Sequence, residues 1–114
     1  MTQILNLKDI DWENPTRGYY LTEVKEKILW EDKNTGATLV LLRLPEGIAD
    51  KPHSHSEANQ IAIGLSGEIE AAPGGAVVPL QADMVFFTPK GEKHGGSRFT
   101  KESILLHFWD GPTK

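Results

Sequence analysis

Apolar and polar residues alternate over short stretches of the chain, and Gly, Pro, Asn and Asp interrupt these stretches repeatedly. Alternation of this kind is typical of half-buried β-strands, and no stretch shows a sustained helical period. Residues 8–20 are the one piece expected to be helical or irregular. The pattern predicts strands over residues 24–31, 37–44, 60–71, 76–80, 83–89 and 103–111, with turns at DKNTG and at 73–75.

These six strands, in a chain with room for seven or eight short antiparallel strands, predict an all-β sandwich or small barrel. The 114 residues have room for one domain, spanning 1–114. Asn34 and Gly36 are expected to supply the positive φ angles of the DKNTG hairpin turn. The aromatic side chains near the end of the chain are expected to fill the core: Phe86, Phe87, Phe108 and Trp109.

Composition limits the cellular compartment and the class of partner that the protein is expected to have. The chain contains no cysteine, which excludes disulfides, thiolate metal sites and a cysteine nucleophile. Its start lacks the basic and apolar regions of a signal peptide, and no apolar stretch approaches the length of a membrane span. We therefore expect a cytoplasmic protein. The net charge is −4, and acidic and basic residues are interspersed along the sequence. This pattern does not predict a basic surface for binding nucleic acid or a membrane, so the expected partner is a small-molecule substrate.

Three histidines form the chemically informative pattern. His53 and His55 are separated by one residue, so in a strand both side chains point to the same face. His94 follows a predicted strand, in a turn set by Pro89 and Gly91. Three neutral imidazoles from two strand ends would give a transition metal most of its protein ligands. Glu57 shares the parity of the histidine pair and is a rival further ligand.

The spacing around these histidines resembles the two motifs of the cupins. The first motif appears as Gly47, His53, His55, Gln60 and Gly67. The second appears as Asp83, Pro89, Gly91, His94 and Arg98. The chain departs from the family pattern at three positions: Gln60 replaces Glu, Asp83 replaces Gly, and Arg98 replaces Asn. The resemblance covers residues 38–109 and is to the small single-domain members.

This resemblance implies a cupin β-barrel, a double-stranded β-helix or jelly roll, with residues 1–22 as an N-terminal arm or strand that packs on the barrel or on a partner subunit. It also implies one divalent transition-metal ion per chain (Fe, Ni, Zn, Mn or Co), held by His53, His55, Gln60 and His94. Four uncharged ligands would leave the +2 charge of the ion uncompensated. Such a centre favours an anionic ligand or a developing oxyanion.

The uncharged ligand set favours Lewis-acid chemistry, such as isomerisation or ring opening. The pattern of two histidines, a glutamine and a later histidine is similar to that of cupins that linearise unsaturated uronates, which suggests a small oxygenated, anionic substrate such as a sugar acid. The C-terminal run ESILLHFWDGP looks like cupins grouped with diketone-cleaving dioxygenases. An Fe(II)-dependent dioxygenase is therefore an alternative, and a non-catalytic binding protein is another.

Two further residues are candidates for catalysis or substrate binding. His107 in the last strand is either a pocket acid/base or a hydrogen-bonded core histidine. Arg43 either projects into the barrel to bind a carboxylate or lies on the surface. If Gln60 faces the cavity, as the resemblance implies, strand alternation places Ala62 and Gly64 inside the barrel as well.

The same alternation leaves Ile61, Ile63 and Leu65 on the outer face. This apolar face needs a cover, either the N-terminal segment around Ile4 and Trp12 or a second subunit. From it we expect a homodimer.

Overall fold

A computed structural model describes residues 2–21, 23–70 and 75–113. Within these ranges the only helix is a short 3-10 turn at Leu7–Asp9, and no helix is long and apolar enough to cross a membrane. The strands in the described ranges are β1 (Lys25–Glu31), β2 (Thr38–Leu44), β3 (Gly47–Ile48), β4 (Gln60–Glu70), β5 (Val77–Pro79), β6 (Val85–Thr88) and β7 (Arg98–Trp109). The prediction of an all-β protein is confirmed.

All the strands join one antiparallel sheet built around the two longest, β4 and β7. The main path runs β1-β2-β7-β4-β5, while β3 pairs with β7 and β6 pairs with β4. The last strand begins at Arg98, earlier than the predicted 103, because Phe99 is buried and pairs with Gly47. Part of the predicted turn at 73–75, and the predicted end of a strand at 71, lie outside the described residues.

The β1–β2 hairpin turn is closed by Asp32. Its side-chain oxygen accepts a hydrogen bond from the backbone N–H of Asn34 at 2.8 Å, and its carbonyl oxygen accepts one from Gly36 at 2.7 Å. Gly36 has the predicted positive φ of 80°. The same prediction for Asn34 is wrong, since every described residue with positive φ is a glycine. The acceptor groups of Asp32 bend the chain without a second left-handed residue.

Alternate residues of the central strands form the core. Val40 and Leu42 of β2 are fully buried, as is Trp109 of β7. In β4, Gln60 and Ala62 are buried, which confirms the predicted inward face. The expectation that every C-terminal aromatic residue fills the core is wrong for Phe87, whose exposed fraction is 62%.

Gly67 of β4 lies close to Ser103 of β7. Its φ is 105°, and a Cβ atom at this position would collide with the Oγ atom and backbone of Ser103, which is itself fully buried. A side chain therefore does not fit, and the backbone conformation is one that favours glycine. The glycine allows the two long strands to approach closely at this point.

The predicted helical or irregular segment at 8–20 is mostly irregular and lies against the barrel of its own chain. Isolated antiparallel bridges join Glu13 to Glu26 and Tyr20 to Asp50. Arg17 is buried and forms an ion pair with Glu26 at 3.3 Å. These contacts bring the segment to the mouth of the barrel, next to the histidines.

Candidate metal centre

His53 and His94 are joined through their backbones. The N–H of each donates to the carbonyl oxygen of the other at 2.7 Å, which forms an isolated antiparallel bridge. Residues directly opposite each other in such a bridge carry their side chains on the same face. The two imidazole ring centroids lie 4.4 Å apart. Residues far apart in sequence thus present two rings at one point.

The outer ring nitrogens of these two histidines are held by backbone carbonyls. His53 Nδ1 lies 2.5 Å from the Lys51 carbonyl oxygen, and His94 Nδ1 lies 3.2 Å from the Glu92 carbonyl oxygen. A carbonyl oxygen only accepts, so Nδ1 of His53 carries the proton and its Nε2 keeps a free lone pair. His94 has an acceptor oxygen 3.2 Å from each ring nitrogen, the Glu92 carbonyl at Nδ1 and Gln60 Oε1 at Nε2. A carbonyl partner behind the ring is the usual support of a metal-ligating histidine, and both rings have one.

His55 completes the cluster from a buried position. Its Nε2 is buried and has no hydrogen-bond partner among the described residues. Burial, and then the neighbouring His53 and His94, lower the pKa of His55 to about 4. Burial likewise lowers the pKa of His53. Both rings are therefore neutral near pH 7, which is the form that binds metal ions.

One nitrogen from each of the three histidines lies within 4.8 Å of the others. Gln60, the first residue of β4, is buried and adds its Oε1 atom at 3.2 Å from His94 Nε2. Two atoms that each bind one ion at about 2.1 Å are roughly 3.0–3.4 Å apart. The orphaned Nε2 of His55 and the separation of His94 Nε2 from Gln60 Oε1, which matches that of two ligands of one ion, both fit a bound cation. The donor set suits a divalent transition metal.

The loop after His94 packs tightly on the cluster. Gly95 has a φ of 91°, and a Cβ atom there would lie 2.8 Å from the Lys51 carbonyl oxygen and 2.9 Å from His53 Nδ1. Glycine at this position lets the backbone reach the supporting carbonyl of His53. The ring orientation of His53 thus depends on a residue outside the histidine set.

Two other residues weighed from the sequence lie away from the cluster. Glu57 is exposed and is not part of the histidine group. Arg43 lies on the outer face of β2, where its guanidinium carbon is 4.8 Å from the centroid of the Trp12 ring. Its neighbours Leu42 and Leu44 take the inward positions, so strand alternation turns Arg43 outward. The structure does not bring Arg43 to the histidines.

His107 does lie at the pocket. It lines the cavity that also contains His94 and Gln60, and it sits opposite Ala62 in the sheet. Its Nδ1 is buried with no hydrogen-bond partner in the described part of the chain. Burial, followed by the charge of neighbouring histidines and Arg17, lowers the pKa of His107 to about 3. His107 is therefore neutral at pH 7.

Three residues that surround the site were not indicated by any pattern in the sequence. The Tyr19 ring stacks on His53 with centroids 3.7 Å apart and an angle of 13°. Asp50 lines the cavity and accepts a hydrogen bond from the backbone N–H of Gly96 at 3.0 Å. Arg17 contacts the site through Trp109. Tyr19 and Arg17 belong to the irregular segment, where no periodicity indicates which side chains face the barrel.

Comparisons with known proteins agree with this geometry. Residues 40–108 match the family described as Cupin domain. A search of curated proteins gives no match. In structure the chain is similar to an acetylacetone dioxygenase from Acinetobacter johnsonii, with 16% identity, a TM-score of 0.77, and coverage of 97% of this chain and 75% of that chain.

Two further solved structures are similar. KdgF from Halomonas sp. is 18% identical with a TM-score of 0.72, and the match covers 100% of this chain and 96% of that chain. An RmlC-like cupin from Shewanella frigidimarina is 20% identical with a TM-score of 0.70, covering 100% and 94% of the two chains. At these identities the likeness establishes the fold alone. The matched motif region and the all-β fold show that this chain belongs to the Cupin domain family.

Proposed function

We propose that this protein is a metal-dependent enzyme. One divalent transition-metal ion would be held by His53, His55, His94 and Gln60, and when bound it would polarise an oxygen atom of a small substrate as a Lewis acid. The convergence of the three histidines supports the site. The uncharged ligands favour isomerisation or ring opening through an oxyanion over redox chemistry.

The observation that carries this proposal is the cavity beside the ligands. Gln60 and His94 form part of the wall of a cavity of about 150 Å³, so a molecule in the cavity would meet the ion. Most of the remaining wall is apolar: Ala62, Ile69, Phe86, Phe99 and Leu105. Apolar walls exclude water and strengthen the attraction between the ion and an oxyanion.

The lining also limits the charge of the substrate. Among the described residues no lysine or arginine lines the cavity, and Asp50 contributes a carboxylate. A carboxylate group on the substrate would therefore have no cationic partner except the ion itself. The cavity suits a small molecule with at most one negative charge, located on the atoms that bind the ion. This favours a ketone or enol over a highly charged sugar acid.

Two residues that line the cavity can take part in proton transfer or hydrogen bonding to a substrate. Asp50 lines the cavity and uses one carboxylate oxygen to accept from the backbone N–H of Gly96. His107, neutral at pH 7, offers either a donor or an acceptor at the opposite wall. We propose Asp50 as the base that removes a proton from the carbon next to a carbonyl, with His107 orienting the substrate.

The test begins with metal content. Protein purified without chelator should retain about one divalent ion per chain by elemental analysis, and His94→Ala should retain none. Gln60→Glu should keep or tighten metal binding, because a carboxylate adds a negative charge next to the ion. Unchanged metal content in His94→Ala would refute the site.

Activity can be tested without knowing the natural substrate. Hydroxyacetone in D2O, under anaerobic conditions, should exchange its α-hydrogens faster with the metal-loaded protein. NMR would follow the exchange. Asp50→Asn should lose this exchange while keeping its metal. Exchange that is equal with and without metal would refute Lewis-acid catalysis.

The apolar, cation-free wall also favours a second function, an iron-dependent dioxygenase acting on a diketone. The structural similarity to an acetylacetone dioxygenase is consistent with this alternative. Oxygen consumption with pentane-2,4-dione that requires Fe(II), and does not occur with Zn(II) or Ni(II), would establish the second function over the first.

We further propose that the chain forms a homodimer through the outer face of β4 and β6. Ile61 pairs across the sheet with Phe87, and Ile63 pairs with Val85. Phe87, Val85 and Ile61 are 62%, 59% and 38% exposed. The N-terminal segment does not cover this face, since Ile4 is itself 95% exposed. Phe87→Lys should convert a dimer to a monomer in light scattering, whereas a monomeric parent protein would refute the proposal.

A further inference from the structure

We propose that Trp109 is a positioning residue that selects which end of the Gln60 carboxamide faces the metal ligands. This inference rests on the proposed metal site. Gln60 and Trp109 are direct cross-strand partners in β4 and β7. The indole Nε1–H of Trp109 donates to Gln60 Oε1 at 2.7 Å.

The chemistry of the indole decides the orientation of the amide. An indole N–H only donates, so the atom it contacts must be the carboxamide oxygen and not the NH₂ group. The same oxygen lies 3.2 Å from His94 Nε2. One hydrogen bond therefore turns the oxygen toward the histidines, where a lone pair is needed. With the amide reversed, two donors would face each other and the NH₂ group would offer the ion no lone pair.

A carboxylate would not need this control. The two oxygens of a glutamate are equivalent, and either one binds a metal ion. An amide has one end that binds and one that does not. Because Gln60 replaces the usual glutamate, its carboxamide must be oriented, and the hydrogen bond from Trp109 orients it.

The indole itself is held firmly. Trp109 is fully buried, and the guanidinium carbon of Arg17 lies 4.1 Å from its ring centroid. Arg17 is fixed in turn by its ion pair with Glu26 and by donating to Thr113 at 2.8 Å. On the metal-ligand side, the His55 ring contacts the indole at a centroid distance of 6.0 Å. An indole packed on both sides keeps its N–H directed at Gln60.

A double-mutant cycle separates this role from simple packing. Trp109→Phe keeps an aromatic ring but removes the N–H. Zinc affinity would be measured by chelator competition for the parent, Trp109→Phe, Gln60→Glu and the double variant. Supporting groups of metal ligands typically contribute about 10–100-fold to metal affinity. We expect a loss of that size for Trp109→Phe in the parent and little loss in the Gln60→Glu background. Equal losses in both backgrounds would overturn the inference.

A second measurement needs neither the Trp109→Phe variant nor metal. The indole signal of Trp109 can be assigned by NMR as the one that persists in Trp12→Phe and Trp30→Phe. In metal-free protein its proton should shift upfield in Gln60→Leu and stay near its parent position in Gln60→Glu. An unchanged signal in Gln60→Leu would overturn the inference. If the parent protein binds no zinc, the proposed metal site is refuted. The NMR measurement still tests the Trp109–Gln60 hydrogen bond in that case.

Discussion

Replacing the pocket histidine His107 should remove part of the acid sensitivity of the fold. Burial, with neighbouring cationic groups, lowers the pKa of His107 to about 3 from its ordinary value of 6.5. Between these two values the unfolded chain binds a proton at this position that the folded chain does not. Stability conferred by neutral His107 is therefore complete above pH 6.5 and is lost as the pH falls toward 3.

The size of the effect follows from the two pKa values. For a single group with these values, the free energy of unfolding falls by about 2 kcal/mol between pH 8 and pH 5. His55 adds a loss of its own in the same direction, because its pKa is lowered to about 4, chiefly by burial. His107→Leu should remove the first contribution and leave that of His55 in place.

Urea unfolding at pH 8 and pH 5, in the presence of a chelator, would measure this. Each protein is compared with itself at the two pH values, so a change in packing caused by the leucine cancels. We expect His107→Leu to lose about 2 kcal/mol less than the parent over this range. Equal losses in the two proteins would show that folded His107 binds a proton as readily as an unfolded histidine.

Two further predictions concern stability. Gly67→Ala should lose more free energy of unfolding than Gly47→Ala, by about 1–3 kcal/mol, because both glycines have positive φ but only the new Cβ at 67 meets other atoms. Similar losses in urea unfolding would contradict this clash. Arg17→Met should cost about 3–5 kcal/mol because it removes the cation of a buried ion pair and leaves the charge of Glu26 buried without it, whereas Arg98→Met, where the arginine side chain is exposed, should cost under about 1 kcal/mol. Thermal or urea unfolding that ranks the two arginine variants equally would contradict the buried pair.

The parts of the site that follow from local pattern were predictable from the sequence. His53 and His55 share a face because one residue separates them, and once Gln60 faces inward the inward position of Ala62 follows from alternation along β4. The inward position of Gln60 and its meeting with His94 were indicated by the resemblance to the two cupin motifs, not by strand period.

The contacts that support the ligands were not predictable in the same way. Arg17 stacks on Trp109 across most of the length of the chain, and no local pattern links the two positions. The two adjacent residues Phe86 and Phe87 must point to opposite faces, and apolarity alone does not say which is buried. The register of β6 on β4 decides this by pairing Phe86 with Ala62 on the inward face. Tertiary register therefore sets the lining of the cavity.

If the proposed metal-dependent function is correct, the charges around the site favour a substrate that becomes negative when it binds. The four proposed ligands carry no charge, and the buried carboxylate of Glu26 is already paired with Arg17, so neither offsets the +2 charge of a divalent ion. Asp50 lines the cavity but is not one of the proposed metal ligands. A neutral ketone that loses a proton to Asp50 would supply the missing negative charge where the ion is, and the proton would neutralise the carboxylate. A permanently charged molecule would enter against Asp50 and gain less, so the arrangement favours deprotonation within the cavity over capture of a preformed anion.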